Sequence, residues 1–140
     1  MFSSSKNPPP SSPARPRQAL QRRIVGVLLA LVLIGAALFA AYTWASLTWS
    51  YSRGERAGYV QKFSHKGWLC KTWEGELAMV SLPGTVSEKF YFTVRDEAVA
   101  QKINASLGKR VVLGYEQHLG VPSTCFGETE YFVTELRVSD

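Results

Sequence analysis

The sequence predicts a single N-terminal transmembrane helix followed by a small, mainly-β domain with the element order β-β-β-α-β-β. Three observations indicate this fold class. Residues 24–47 contain no charged side chain, residues 56–140 hold short runs that alternate apolar and polar side chains, and one stretch after residue 96 repeats apolar side chains every four positions. A chain of 140 residues has room for one such domain beside the helix.

Positive charge is concentrated ahead of the apolar run. Residues 1–23 contain five basic and no acidic side chains, whereas residues 24–140 contain 11 of each, so the formal net charge of +5 belongs to the N-terminal segment. A nucleic-acid-binding domain would carry its basic patch on the folded part, so we predict no nucleic-acid partner. The serine- and proline-rich residues 1–23 offer little apolar surface to bury, which predicts a disordered basic tail.

Residues 24–47 predict the transmembrane helix, with residues 48–55 as a juxtamembrane linker. An α-helix of this length spans about 36 Å, which exceeds the roughly 30 Å of a bilayer's hydrocarbon core. Two alternatives stay open. One is a buried helix of a soluble protein, although the remaining residues could hardly cover it on every face. The other is a cleaved signal peptide, although its apolar region is usually shorter.

The charges and aromatic rings beside this run predict its orientation. Four arginines precede it, namely Arg15, Arg17, Arg22 and Arg23. Four aromatic side chains lie at its far end, namely Tyr42, Trp44, Trp49 and Tyr51. The positive-inside rule places the N-terminus in the cytoplasm and the domain outside it. In a bacterium, this describes a single-pass inner-membrane protein with a periplasmic domain.

Alternating side chains predict the first three strands at residues 57–64, 68–81 and 89–95. Lys66-Gly67 is typical of a hairpin turn between the first two strands. Gly75 interrupts the second strand, which predicts a bulge or a sharp bend there.

A helix is predicted after the third strand. Asp96 is suited to cap its N-terminus, and Gly108 to end it. Its predicted apolar stripe is Val99, Ile103 and Leu107. Strands at residues 109–117 and 130–138 follow, and the side chains predicted to face inward from the last strand are Phe132, Leu136 and Val138.

This order of elements resembles that of an OB-type barrel, in which a helix lies between the third and fourth strands. A long, bent second strand also suits such a barrel. Residues 56–140 are therefore predicted to form an OB-like β domain. The alternative is a small open α+β sheet with one covering helix.

Two segments of the outer part carry a further resemblance. SRGERAGYVQKFSHKGWLCKTWEGEL and GKRVVLGYEQHLGVPSTCFGETEYFV resemble a group of short, single-span bacterial membrane proteins of unassigned function. The resemblance implies an inner-membrane protein and assigns no activity. The glycine-rich loop of a dinucleotide-binding fold is absent from the sequence.

Cys70 and Cys125, with His65 and His118, lie in or near the first and last loops of the predicted barrel. These loops share one side of an OB-type barrel, so the four side chains are expected to converge. Outside the cytoplasm, a disulfide is the default for two cysteines. It would close about 56 residues and contribute roughly 4 kcal/mol on the loop-entropy model. Two alternatives stay open: a metal such as zinc on all four residues, and two separate reduced thiols.

Two pairs of carboxylates, Glu74 with Glu76 and Glu128 with Glu130, are spaced to share a strand face. A glycosidase needs two carboxylates beside a cleft, which leaves an envelope hydrolase as one functional alternative. Solvated charges on an outer face are the simpler explanation. Because no nucleophile, metalloprotease or phosphate-loop motif occurs in the sequence, we predict a protein that is not an enzyme and needs no cofactor.

The predicted function is a membrane-anchored, envelope-facing binding or adaptor domain with a protein partner. The candidate binding residues are His65, Lys71, Trp73, Arg95, His118 and Phe126. Trp73 suits either the core or a surface contact with the partner. A sensor for a small ligand or a metal, built on His65, Cys70, His118 and Cys125, is the main alternative.

Overall fold

The computed structural model describes residues 16–139. Its elements are α1 (Pro16–Thr48), β1 (Ser52–Lys66), β2 (Thr72–Met79), β3 (Lys89–Val94), α2 (Glu97–Ala105), β4 (Arg110–Gln117) and β5 (Tyr131–Val138). The predicted order of one helix followed by β-β-β-α-β-β is therefore confirmed. Residues 1–15 of the predicted tail lie outside the described residues.

Helix α1 begins eight residues before the predicted apolar run. Pro16 occupies its first position, where the missing amide hydrogen costs no hydrogen bond, and residues 17–23 are mostly good helix formers. The segment Arg17–Thr48 is long and apolar enough to cross a membrane. Side chains from Leu20 to Phe39 are exposed along it.

The five strands form one mixed sheet in the order β1-β2-β3-β5-β4, and β1 also pairs with β4, so the order closes on itself. All pairs are antiparallel except β3 with β5, which run parallel and meet at one registered pair, Thr93 with Phe132. A five-stranded mixed sheet with one helix agrees with the coarse prediction of the fold class. The same elements also fit the alternative prediction of a small open α+β sheet with one covering helix.

Strand β1 is the long, irregular strand of the sheet. Its first half pairs with β4, from Ser52 opposite Gln117 onward, and its second half pairs with β2. The register with β2 shifts between Val60 and Lys62, which marks a bulge. Residues 52–55 of the predicted linker thus belong to β1, because their backbone pairs with β4, although this part of the sequence shows no alternation of apolar and polar residue types.

Strand β2 is shorter than predicted, and the expected bulge at Gly75 is absent. Gly75 lies in regular register opposite Phe63 on β1 and Phe92 on β3. A Cβ atom at this position would lie 2.2 Å from Cζ of Phe92. The glycine therefore leaves room for a buried aromatic ring rather than for a bend.

Helix α2 closes the core as its sequence pattern predicts. The carboxylate of Asp96 accepts hydrogen bonds from the backbone N–H groups of Ala98 (2.8 Å) and Val99 (3.2 Å), so the predicted N-cap is confirmed. Val99 and Ile103 are buried. Leu107 lies beyond the last helical residue and is exposed, so its predicted place in the stripe is wrong.

The inward face of β5 differs from its predicted pattern. Phe132 is buried as expected, but Val138 is exposed and Val133 is buried. A register shift between Gly114 and Tyr115 of β4 places Tyr115 opposite Val133. Strict alternation does not hold across such a shift, so the adjacent Phe132 and Val133 are both buried. Leu136 packs against the core as predicted, whereas Val138, the last residue of β5, is exposed, so its predicted inward position is wrong.

Replacing Gly75 by alanine is expected to destabilise the fold by about 1–3 kcal/mol, because the new methyl group overlaps the ring of buried Phe92. The measurement is urea unfolding of the full chain in detergent. Gly114→Ala is the control, because its new methyl group would lie 3.3 Å from Cβ of the exposed Glu135, a much milder contact than the 2.2 Å at Gly75. Equal stability of both variants would contradict the packing role of Gly75.

Candidate functional site

A disulfide joins the two loops that the sequence analysis expected to converge. Sγ of Cys70 is bonded to Sγ of Cys125, and their Cα atoms are 4.9 Å apart. Cys70 belongs to the hairpin loop between β1 and β2, residues 67–71, and Cys125 to the long loop between β4 and β5, residues 118–130. The predicted disulfide is confirmed. The metal hypothesis loses its two thiolate ligands, and the hypothesis of two separate reduced thiols is wrong for this structure.

One recess gathers five of the six predicted binding residues. It encloses about 280 Å³, and its lining includes His65, Lys71, Trp73, Arg95 and Phe126. The ends of β1, β2 and β3 form its wall together with the long loop. We refer to it as the binding recess.

An aromatic stack forms the wall of the binding recess. The ring of Trp73 lies parallel to that of His65, with centroids 4.5 Å apart, and to that of Phe63, with centroids 5.0 Å apart. Trp73 also packs against the hydrophobic core and is half-buried. The two alternatives for this side chain thus hold together, since its ring packs on the core and also lines the recess.

The indole N–H of Trp73 donates a hydrogen bond of 2.8 Å to the carboxylate of Glu97 at the start of α2. The amide of Gln101 donates a second one, also of 2.8 Å, to the other oxygen. These two hydrogen bonds, with that of Gln101 as the larger cause, lower the pKa of Glu97 below its ordinary value. The carboxylate is therefore held in its ionised form at the edge of the recess.

Two exposed cations complete the binding recess. Lys71 and Arg95 line it, and the guanidinium of Arg95 lies 5.8 Å from the centroid of the Phe132 ring. Within residues 16–139, neither of the two cations forms an ion pair. The two cations outnumber the one ionised carboxylate of the recess, that of Glu97, so the recess keeps a net positive charge for an acidic group from outside the domain.

His118 does not line the binding recess. It is 5% exposed and lines a second recess with Glu116 and Phe132, and Arg95 is common to both recesses. Its Nδ1 lies 3.1 Å from the carbonyl oxygen of Ser46, and its Nε2 lies 3.4 Å from the carboxylate of Glu116. The predicted convergence of His118 with His65 and the cysteines is therefore wrong, because His118 is engaged at the start of the long loop.

The end of α1 contacts this part of the long loop at two points. Besides the contact of Ser46 with His118, the hydroxyl of Tyr42 donates a hydrogen bond of 2.9 Å to the carbonyl oxygen of Gly120. Tyr42 and Ser46 are four residues apart, so they lie on one face of the helix. Sequence reasoning missed these contacts because residues 42 and 46 read as parts of the apolar span, and Ser46 makes its contact through the backbone carbonyl, which no side-chain pattern reveals.

Glu74 is a buried carboxylate, although the simpler sequence explanation placed it on a solvated outer face. It is 6% exposed. The hydroxyls of Thr72 and Thr93 each donate to it at 2.7 Å, and the backbone N–H of Glu128 donates at 3.1 Å. The long loop brings Glu128 over this face, so strand alternation alone could not reveal the burial.

Glu128 also forms an ion pair with Lys66, with Nζ 2.8 Å from the carboxylate oxygen. The hydrogen bond to Glu128 raises the pKa of Lys66. Glu74 and Glu128 border a recess of about 90 Å³, well below the roughly 300 Å³ at which ligand pockets usually begin. Of the other candidate carboxylates, Glu76 lies 2.5 Å from Nζ of Lys89 and Glu130 is exposed.

The described residues define a class: a small disulfide-linked domain with a mixed five-stranded sheet and one helix, preceded by an apolar helix long enough to cross a membrane. The chain belongs to the DUF8785 family, described as a domain of unknown function, whose model matches residues 49–140. No curated protein shows significant similarity to the chain.

Replacing Glu74 by alanine is expected to destabilise the fold by about 2–4 kcal/mol, because three donors lose their acceptor. Glu74→Gln should retain most of the stability, since the Thr93 hydroxyl can turn to accept from the new amide. Unfolding in urea measures both variants. Glu76→Ala, at a half-buried position, is the control with a smaller loss; a Glu74→Ala variant as stable as this control would contradict the buried network.

Acidification is expected to weaken the bond between Trp73 and Glu97. Because the folded-state pKa of Glu97 is lowered, its stabilising contribution is present above the ordinary value of 4.5 and is lost as the pH falls through the folded-state pKa. The indole N–H resonance of Trp73 should therefore titrate with a midpoint below pH 4.5. Gln101→Ala should move the midpoint upward, and Glu97→Gln should abolish the titration. A wild-type midpoint at or above the ordinary value would contradict the assignment.

Proposed function

We propose that this chain is a single-pass membrane protein whose outer domain is a non-catalytic binding module for an acidic segment of an envelope protein. The observation that supports this most directly is the binding recess. It places the cations Lys71 and Arg95 beside the exposed ring of His65 and the half-buried rings of Trp73 and Phe126.

The chemistry of the recess favours a carboxylate-bearing ligand with an apolar side chain. Cations that are not already paired attract carboxylates, and aromatic rings in a recess are frequent anchor sites at protein interfaces. The volume of about 280 Å³ lies slightly below the usual range of roughly 300–1,000 Å³ for small-molecule pockets. It suits one or two side chains of a protein partner better than a whole small ligand, which makes the sensor the weaker alternative.

The fold supports the same assignment by analogy. We propose that the sheet is an OB-type barrel, because its strand order closes on itself and α2 lies between β3 and β4, as expected for that fold. In such barrels the loops between the first and second strands and between the fourth and fifth strands commonly frame the binding site. Here these are the hairpin loop and the long loop, which flank the binding recess. This step rests on fold analogy, so the function itself rests on the recess.

The proposed location is a bacterial inner membrane, with the N-terminus in the cytoplasm and the domain in the periplasm. The apolar length of α1 supports the span. The arginines that precede the apolar run support the orientation. The disulfide supports an oxidising compartment for the domain.

Reversing the two recess charges should abolish capture of the partner. A photo-crosslinking amino acid at His65, which is exposed in the recess, is expected to form adducts in cells that disappear in the Lys71→Glu, Arg95→Glu variant. Lys62→Glu, Lys109→Glu is the control, with the same charge change at exposed positions outside the recess. Mass spectrometry of the adduct should place the crosslink in an acidic segment. Adducts that persist after reversal of the recess charges would overturn the proposed site.

The orientation is tested with a reporter fused after Asp140. Alkaline phosphatase, which is active only outside the cytoplasm, is expected to be active in this fusion, whereas a cytosol-specific reporter should be inactive. Neutralising the four arginines before the apolar run should reduce the fraction of chains whose domain lies outside the cytoplasm, because these arginines dominate the charge difference across the span. Activity of the cytosolic reporter alone would contradict the periplasmic domain.

A further inference from the structure

The tip of the hairpin loop exposes two large apolar side chains. Trp68 is 101% exposed and Leu69 is 89% exposed. They lie between Lys66 and Lys71 in the sequence. A lone exposed apolar residue is ordinary, but an adjacent tryptophan and leucine at the tip of a covalently anchored loop form a compact apolar point with cations on both sides.

The disulfide connects this tip to the part of the domain that contacts α1. Cys70 follows Leu69 directly and is bonded to Cys125 in the long loop. The same loop begins at His118, which contacts Ser46, and includes Gly120, which contacts Tyr42. Arg95 lines the binding recess with Lys71 and also lines the recess beside Leu47 of α1, so the hairpin loop and the end of α1 lie at the same end of the sheet.

The depth of this end of the sheet relative to the bilayer follows from the membrane span proposed above. The inference therefore rests on that part of the proposed function. Tyr42 and Trp44 belong to the aromatic cluster expected at the headgroup level. A loop that accepts a hydrogen bond from the Tyr42 hydroxyl therefore lies at the same level. Leu119, between the two contacts of this loop with α1, is also exposed.

We infer that Trp68 and Leu69 form a second membrane contact, inserted among the lipid headgroups beside α1. An indole suits the headgroup region because it combines an apolar ring with a polar N–H. The contact does not need Lys71, whose ammonium lines the binding recess. The domain then lies on the bilayer through two points, α1 and the tip.

The loop between β2 and β3 provides an internal comparison. Its Leu82 and Val86 are 77% and 96% exposed, so it is equally apolar at the surface. It connects Met79 to Lys89, at the end of the sheet opposite to Thr72 and Val94. It also lacks an aromatic side chain. Exposure alone therefore does not distinguish the two loops; position and chemistry assign the lipid contact to the tip.

A contact at two points also restricts the partner. The binding recess shares Lys71 with the hairpin loop, so it would lie close to the headgroups. The acidic segment that enters it must then come from a protein whose segment lies near the bilayer, such as an external loop of another membrane protein.

Tryptophan fluorescence of the full chain in liposomes tests the membrane contact. The chain is reconstituted with Trp44→Phe and Trp49→Phe, which leaves Trp68 and Trp73 as emitters. Lipids brominated near the top of the acyl chains should quench the emission and shift the remaining maximum. Adding Trp68→Phe should remove the quenched component. Unquenched emission with the maximum of a fully hydrated indole at Trp68 would overturn the inference.

Two further chains separate this result from failure of the proposed function. A chain with Trp68→Phe and Val86→Trp in the same background should show no quenching, because residue 86 lies at the remote end of the sheet. Quenching of Val86→Trp equal to that of Trp68 would also overturn the inference. The chain with native Trp44 and Trp49 reports on the span itself. If Trp44 and Trp49 are quenched but Trp68 is not, α1 is in the bilayer, and only the membrane contact of the tip is rejected.

Discussion

The link between the β1–β2 hairpin and the long loop is the constraint on which the candidate site depends. Three bonds form it: the disulfide of Cys70 with Cys125, the ion pair of Lys66 with Glu128, and the hydrogen bond from the N–H of Glu128 to Glu74. The disulfide alone contributes about 4 kcal/mol on the loop-entropy model. Without these bonds, nothing would hold the long loop against the hairpin. Phe126 would then not be kept in the binding recess, and Glu74 would not be kept covered.

The same loop makes its contacts in two directions, which explains why it is long. One end contacts α1 through His118 and Gly120, and the other end contacts the first hairpin through Cys125 and Glu128. A loop of this length without secondary structure is uncommon in a small domain and is usually functional. Here the loop contacts the last turns of α1 at one end and lines the binding recess near the apolar tip at the other.

The sequence predicted what local patterns encode. The order of elements and the cap by Asp96 follow from propensity and alternation, and the disulfide follows from two cysteines in or near loops expected to converge. The start of β1 at Ser52, the burial of Glu74 and the separation of His118 from His65 depend on contacts between residues far apart in the chain. Such contacts leave no periodic signal. Gly75 shows the same limit. The sequence does not reveal whether a glycine leaves room for an aromatic ring or permits a bulge.

The proposed binding role depends on which charged groups the fold already pairs and which it leaves unpaired. Both oxygens of Glu74 accept hydrogen bonds within the fold, and Lys66 is paired with Glu128, so these groups already have structural tasks. Lys71 and Arg95 are different, since each lines the recess without an ion-pair partner among residues 16–139. Cations that a fold leaves unpaired beside aromatic rings cost little in water and gain when an acidic group arrives. These two cations are therefore the groups through which the proposed acidic segment would be bound.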